Sequence, residues 1–123
     1  MNKKTRIITS AVFGFIGVAL GAFGAHGLSD LLSEKMMETY KTGVFYHLVH
    51  SVVLLVLALS NYNFIRSFIF ITIGIILFSF SLYFYSTTNI TFFAMITPFG
   101  GVSFLIGWIL IIIEALKITP KKM

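Results

Sequence analysis

Apolar residues run along this chain in four long blocks, separated by short polar stretches. The first block, residues 7–25, follows Lys3, Lys4 and Arg6 and holds about 19 residues, enough at about 1.5 Å each to cross a hydrocarbon core. Its basic start and the Ala22-Phe23-Gly24 stretch also fit a signal peptide; we read it as the first transmembrane helix. Residues 26–43 break the pattern. Asp30, Glu34, Lys35, Glu38 and Lys41 concentrate charge there, while Leu32, Met36 and Tyr40 recur every four residues. Ser33 is a good N-cap, with Glu34 in the first turn to complement the helix dipole. The spacing predicts a short amphipathic helix over residues 33–42 at the membrane interface, or one that runs into the next span through Gly43. The second span covers residues 44–60 and ends at the turn signal Asn61-Tyr62-Asn63. The third covers 64–85, followed by a polar connection, Ser86-Thr87-Thr88-Asn89. The fourth covers 90–116, where Thr97-Pro98 and Gly100-Gly101 predict a separate short helix or a kinked entry.

Composition supports the same class. Of 123 residues, 58% are hydrophobic and 11% charged, against about 25% charged in a soluble domain. That excludes a soluble enzyme, a disordered chain and a nucleic-acid module, and makes the lipid bilayer the main partner. The expected fold is an all-α integral membrane protein, one domain over residues 1–123, built as a four-transmembrane-helix bundle. Cysteine is absent, which removes disulfides and thiolate chemistry. The net charge of +5 belongs to residues flanking the spans. With both termini cytoplasmic, Lys3, Lys4, Arg6, Arg66, Lys117, Lys121 and Lys122 lie inside and only Lys35 and Lys41 outside, a positive-inside bias. No internal repeat suggests a transporter of inverted halves.

Within the spans a few residues depart from apolar packing. Gly14, Gly17, Gly21 and Gly24, with Ser10 before them, leave one seam of the first helix nearly free of side chains. Such seams let helix backbones approach closely, either within one chain or between copies in a homo-oligomer. His26 ends the first span, and His47 and His50 begin the second, so all three point to the outer end. Polar side chains from all four spans, His26, Tyr46, His50, Ser81 and Thr97, can gather there, while the inner half is almost purely aliphatic and phenylalanine-rich. Polar groups at membrane depth need partners, a water-filled cavity or a ligand. The cluster is therefore either a hydrogen-bonded plug or a pocket for a lipid, quinone or other amphiphile. His26 opposite His50 could also ligate a haem, or the three rings a metal ion, although no carboxylate lies nearby in a span. Glu114 lies one turn from Lys117 and is explained by that pair; it leaves no mid-membrane acid for a proton relay. Trp108 and the phenylalanines need no ligand.

Several stretches together resemble one family. They are Gly21-Ala22-Phe23-Gly24-Ala25-His26-Gly27, Thr42-Gly43-Val44-Phe45-Tyr46-His47-Leu48-Val49-His50, Leu77-Phe78-Ser79-Phe80-Ser81-Leu82-Tyr83, Thr97-Pro98-Phe99-Gly100-Gly101 and Phe104-Leu105-Ile106-Gly107-Trp108. They resemble the small bacterial membrane family called domain of unknown function 423, itself similar to eukaryotic transmembrane protein 256. The resemblance implies a four-helix membrane protein, without assigning an activity or a cofactor. His47 departs from it, since family members often carry glutamine there, and this weakens a three-histidine metal site. The expected function is structural or accessory and non-enzymatic, in a bacterial plasma membrane. Amphiphile binding at His26 and His50 is the second reading, and a haem or metal redox protein the third.

Overall fold

The computed structural model describes residues 1–120; Lys121 and Lys122, counted above on the cytoplasmic side, lie outside the described residues. Four helices are long and apolar enough to cross a membrane: Lys3–Gly27, Glu34–Leu59, Ile65–Thr88 and Thr91–Leu116. We label Lys3–Gly27 α1 and Glu34–Leu59 α2. The third span comprises α3 (Ile65–Gly74), a π-helical segment (Ile75–Phe80) and α4 (Ser81–Thr88), and the fourth is α5 (Thr91–Leu116).

Local chemistry sets the ends. Asn2 caps α1 by accepting from the Thr5 N–H at 2.8 Å. Ser33 caps α2 as expected, accepting from the Met36 N–H at 3.2 Å. No separate interfacial helix exists: residues 33–42 form the first turns of α2, which passes through Gly43 without a break. Gly43 serves packing. A Cβ there would meet Tyr83 Cε1 at 3.0 Å and the Ser79 carbonyl oxygen at 3.2 Å. The polar run 86–88 is likewise helical rather than a connection. Its hydroxyls bond back to the helix, Ser86 and Thr87 to the Tyr83 carbonyl at 3.1 and 2.8 Å and Thr88 to that of Phe84 at 2.6 Å, so they cost the span little. Asn89, at φ 59°, then stops it in the left-handed conformation that asparagine tolerates.

α5 is one continuous helix, not a short helix plus a span. Pro98 sits inside it, and Gly100 explains the neighbouring small residues: a Cβ there would run into the backbone of Leu77 and Phe78. The closest approach of α5 to the third span therefore falls on the π segment, where the helical ladder is already widened. Segments of this kind are rare and cluster at functional sites.

α1 packs its backbone on α2 alone, and α5 on the third span alone; no Cα of α1 lies within 8 Å of a Cα of α5. The third span is the most enclosed, with half of its most apolar stretch buried against 17% for α1. The main core joins Leu54, Leu57, Phe68, Ile71, Ile75 and Phe104. A smaller one joins Leu28, Tyr40 and Tyr83 near the opposite end. The half of the bundle nearer the termini is not purely apolar: Ser10, Ser51 and Ser67 are buried there.

Candidate functional site: two buried histidines at the middle of the bundle

His47 and His50 are not at the start of their helix. Because α2 starts at Glu34, His47 lies thirteen residues from that end and twelve from Leu59, near the helix midpoint at about 20 Å from each end. Phe104, against which His50 stacks at 3.8 Å between ring centroids, lies thirteen residues from Thr91 and twelve from Leu116. Both rings therefore sit at the middle of the bundle. His47 is 0% and His50 5% exposed.

His47 holds three elements together. Its Nε2 lies 2.8 Å from the Phe13 carbonyl oxygen of α1, and its Nδ1 2.8 Å from the Tyr83 hydroxyl of α4. A carbonyl only accepts, so Nε2 carries the proton and Nδ1 accepts from Tyr83 in the neutral ring. Glycine makes this reach possible. Gly17 follows Phe13 by one helical turn, and a Cβ on it would meet His47 Cδ2 at 3.2 Å and Leu48 Cδ2 at 2.8 Å. Phe13 and Phe80 pack their rings around the imidazole.

His50 has the opposite tautomer. Its Nδ1 donates to the Tyr46 carbonyl oxygen at 2.8 Å, one turn back on α2, and its Nε2 accepts from the Trp108 indole N–H of α5 at 3.1 Å. The indole can only donate, which leaves one arrangement of the neutral ring. A metal ion on His50 would have to displace Trp108, and one on His47 the Tyr83 hydroxyl. Among the described residues no three His, Asp or Glu side chains converge as a metal site would require.

The expected cluster is brought together only in part. Tyr46 and His50 stack, with centroids 6.0 Å apart, and Tyr46 also packs on Phe78. Ser81 and Thr97 hydroxyls bond to each other at 2.6 Å, and Ser81 donates to the Phe78 carbonyl at 2.8 Å. Those four residues thus flank the π segment. His26 does not join them: it is exposed at the end of α1. His47, where family members often carry glutamine, is instead the second histidine bonded between helices. Tyr83 and Phe13 are the members sequence reasoning missed. A carbonyl has no sequence signal, but Gly17, four residues after Phe13, marks where one is uncovered.

The glycine seam is occupied within the chain. Gly17 and Gly24 are buried against α2, and Gly14 and Gly21 face Ser51 and Val44 of the same helix. The Tyr40 ring lies over Gly24, and its hydroxyl donates to the Leu20 carbonyl. At the far end of the bundle Glu114 pairs with Lys117 at 3.3 Å and also with Arg66 of α3, a partner remote in sequence. Two polar atoms of the span interior, Ser67 Oγ and Ser79 Oγ, have no partner among the described residues; Ser79 belongs to the π segment.

Comparison with known proteins agrees with this architecture. The family model described as "Protein of unknown function (DUF423)" matches residues 20–101. The UPF0382 membrane protein YwdK of Bacillus subtilis is 42% identical over 120 residues, covering 93% of this chain and 98% of its own. The UPF0382 inner membrane protein YgdD of Escherichia coli K12 is 39% identical over 126 residues, covering 98% and 96%. A UPF0382 membrane protein of Staphylococcus epidermidis is 41% identical over 120 residues, covering 93% and 97%. No solved structure matches the chain. His26, His47, His50 and the π segment fall inside the matched region, Gly14, Gly17 and Trp108 outside it but within the stretch aligned to the relatives, and the chain belongs to the DUF423/UPF0382 family of small bacterial membrane proteins.

Proposed function

We propose that this chain is a non-catalytic, structural or accessory protein of the bacterial plasma membrane, with both termini cytoplasmic. One observation carries the reading: each of the two buried histidines has both ring nitrogens bonded inside the bundle. A general base or a metal ligand needs a free lone pair, and here each is spent on joining helices. Buried polar groups so satisfied hold a bundle together in lipid, where no hydrophobic force drives helices to each other. The "inner membrane" of the Escherichia coli relative's printed name supports the location. A homo-oligomer of this chain would use the lipid-facing sides of α1 or α5, because α2 fills the glycine seam.

Amphiphile binding is the second reading, and it moves away from His26 and His50. An apolar groove of about 320 Å³ between α1 and the third span is lined by Ile16, Leu20, Tyr40, Phe80, Tyr83 and Phe84 among others. It carries no charged side chain, so it suits a neutral apolar molecule such as an isoprenoid quinone. Native mass spectrometry from mild detergent, beside a His50→Ala variant, tests the first reading. Equal mass per protomer in both is expected, any bound lipid being the same in the two; a stoichiometric adduct lost in the variant refutes it. The absence of cysteine makes the topology equally testable. A cysteine at Ser29 should react with an impermeant maleimide in intact cells, and one at Asn2 should not.

A further inference from the structure

The other flank of α1 carries a different surface. Three concavities follow one another along the outside of the α1–α2 pair. The first, of about 260 Å³, is lined by Ser10, Ala11, Gly14, Val18 and Leu48 among others. The second, of about 300 Å³, shares Leu48 and adds Gly21, Gly24, Ala25 and Lys41. The third, of about 210 Å³, shares Gly24, Ala25 and Lys41 and adds Ser29 and Met37. The last two share three residues, and the first joins them past Leu48, whose side chain lies over Gly17 and narrows the furrow there. Its floor is shallow because glycine and alanine alternate with larger residues on this side of α1. From Ala25 to Gly14 is eleven residues, about 16 Å along the helix, close to the 15 Å or so of one bilayer leaflet. Its walls are apolar over that depth and end at Lys41 and Ser29. Among the described residues the ion pairs are those of Glu114, so the Lys41 ammonium is not tied to a carboxylate. An apolar channel one leaflet deep with a single cation at its mouth has the layout of a phospholipid: a tail, then a phosphate.

We propose that this furrow holds one acyl chain of a membrane glycerophospholipid, with the lipid phosphate at Lys41 and Ser29. The groove on the opposite flank of α1 has no cation and would not select for phosphate. The proposal is independent of the structural reading above.

The test uses the full-length protein in mild detergent, titrated with dipalmitoyl phosphatidylglycerol or with dipalmitoylglycerol, which has the tails and no phosphate, and read by native mass spectrometry. One phosphatidylglycerol per protomer is expected, with weaker uptake of dipalmitoylglycerol. Lys41→Gln should weaken phosphatidylglycerol about five-fold, the worth of one lysine near a lipid headgroup, and leave dipalmitoylglycerol unchanged. Gly14→Leu should weaken both, since a Cβ there meets nothing closer than Ser51 Cβ at 4.0 Å and the side chain enters the furrow. Ala25→Leu blocks the furrow nearer its mouth and decides the matter if Gly14→Leu does not fold. Phe84→Ala, on the opposite groove, should change neither lipid. Unchanged phosphatidylglycerol binding in both furrow-blocking variants, or in Lys41→Gln, overturns the proposal. So does a dimer that Gly14→Leu abolishes, which would put a second copy in the furrow.

Discussion

Replacing His47 with leucine removes both ring hydrogen bonds and keeps an apolar side chain in the same space. The two ends of the loss are unequal. The Phe13 carbonyl lies inside α1, where the helical N–H of Gly17 still reaches it. The Tyr83 hydroxyl, on a residue 8% exposed, loses its acceptor at 2.8 Å. An unsatisfied buried polar group costs about 1–3 kcal/mol, while polar pairs between membrane helices average about 0.6 and reach about 1.7 kcal/mol. The expected destabilisation is therefore about 1–2 kcal/mol, a factor of roughly five to thirty in the folded ratio. His47→Gln should cost less than half of that, because an amide offers a donor for Phe13 and an acceptor for Tyr83. Tyr83→Phe alone should cost about as much as His47→Leu, and the double variant clearly less than the sum. Unfolding in mild detergent, followed by far-ultraviolet circular dichroism, measures all four. Additive single costs, or a leucine variant as stable as the parent, would refute the bonded pair.

Glycine replacements should rank by what a methyl group would strike. Gly100→Ala meets backbone and should be the most damaging; Gly24→Ala meets only the Tyr40 ring and should cost about 1–3 kcal/mol. Gly14→Ala has room and should be neutral or stabilising by up to about 1 kcal/mol, from helix propensity; the same unfolding assay ranks them. Trp108 is the one tryptophan, so its fluorescence reports the indole bond: His50→Leu should change the emission maximum, and His26→Ala should not. Arg66→Gln and Lys117→Gln each leave Glu114 one partner, so either alone should lower the melting temperature less than both together; equal shifts would deny the shared carboxylate.

The four spans were legible because apolar blocks of that length have one use in a membrane, and Ser33 and the Asn61 turn marked where helices begin and end. What failed was depth and partnership. Charges at Asp30 to Lys41 read as an interfacial element, yet a helix carries its charged first turns on into the span at no break in hydrogen bonding, and this moved both histidines to the middle. The run Ser86 to Thr88 read as a loop because side-chain bonds back to the helix are invisible in composition. Arg66 with Glu114, and His50 with Trp108, are separated by 48 and 58 residues; the first pair meets through the packing of α5 on the third span, the second because α2 and α5 both pack against that span. The π segment has no periodicity signal in so short a stretch. Of the expected cluster, Tyr46 meets His50 and Ser81 meets Thr97, while His26 stays apart at the end of α1, because shared depth along the chain does not fix which helix faces meet.

The backbone pairing of α1 with α2, and of the third span with α5, has a consequence for how the chain enters its membrane. Each pair is a hairpin, so a translocon can release two helices at a time, while α2 also packs along the third span, so the main core of Leu54, Leu57, Phe68 and Ile71 is completed only when the hairpins meet. Among the described residues, the polar side-chain bonds that cross between the hairpins at mid-depth are His47 to Tyr83 and His50 to Trp108. The two histidines thus supply the directional part of a latch whose apolar part is the shared core. A chain severed in the Asn61-Tyr62-Asn63 turn would consist of two insertable halves whose recognition of each other depends on that latch.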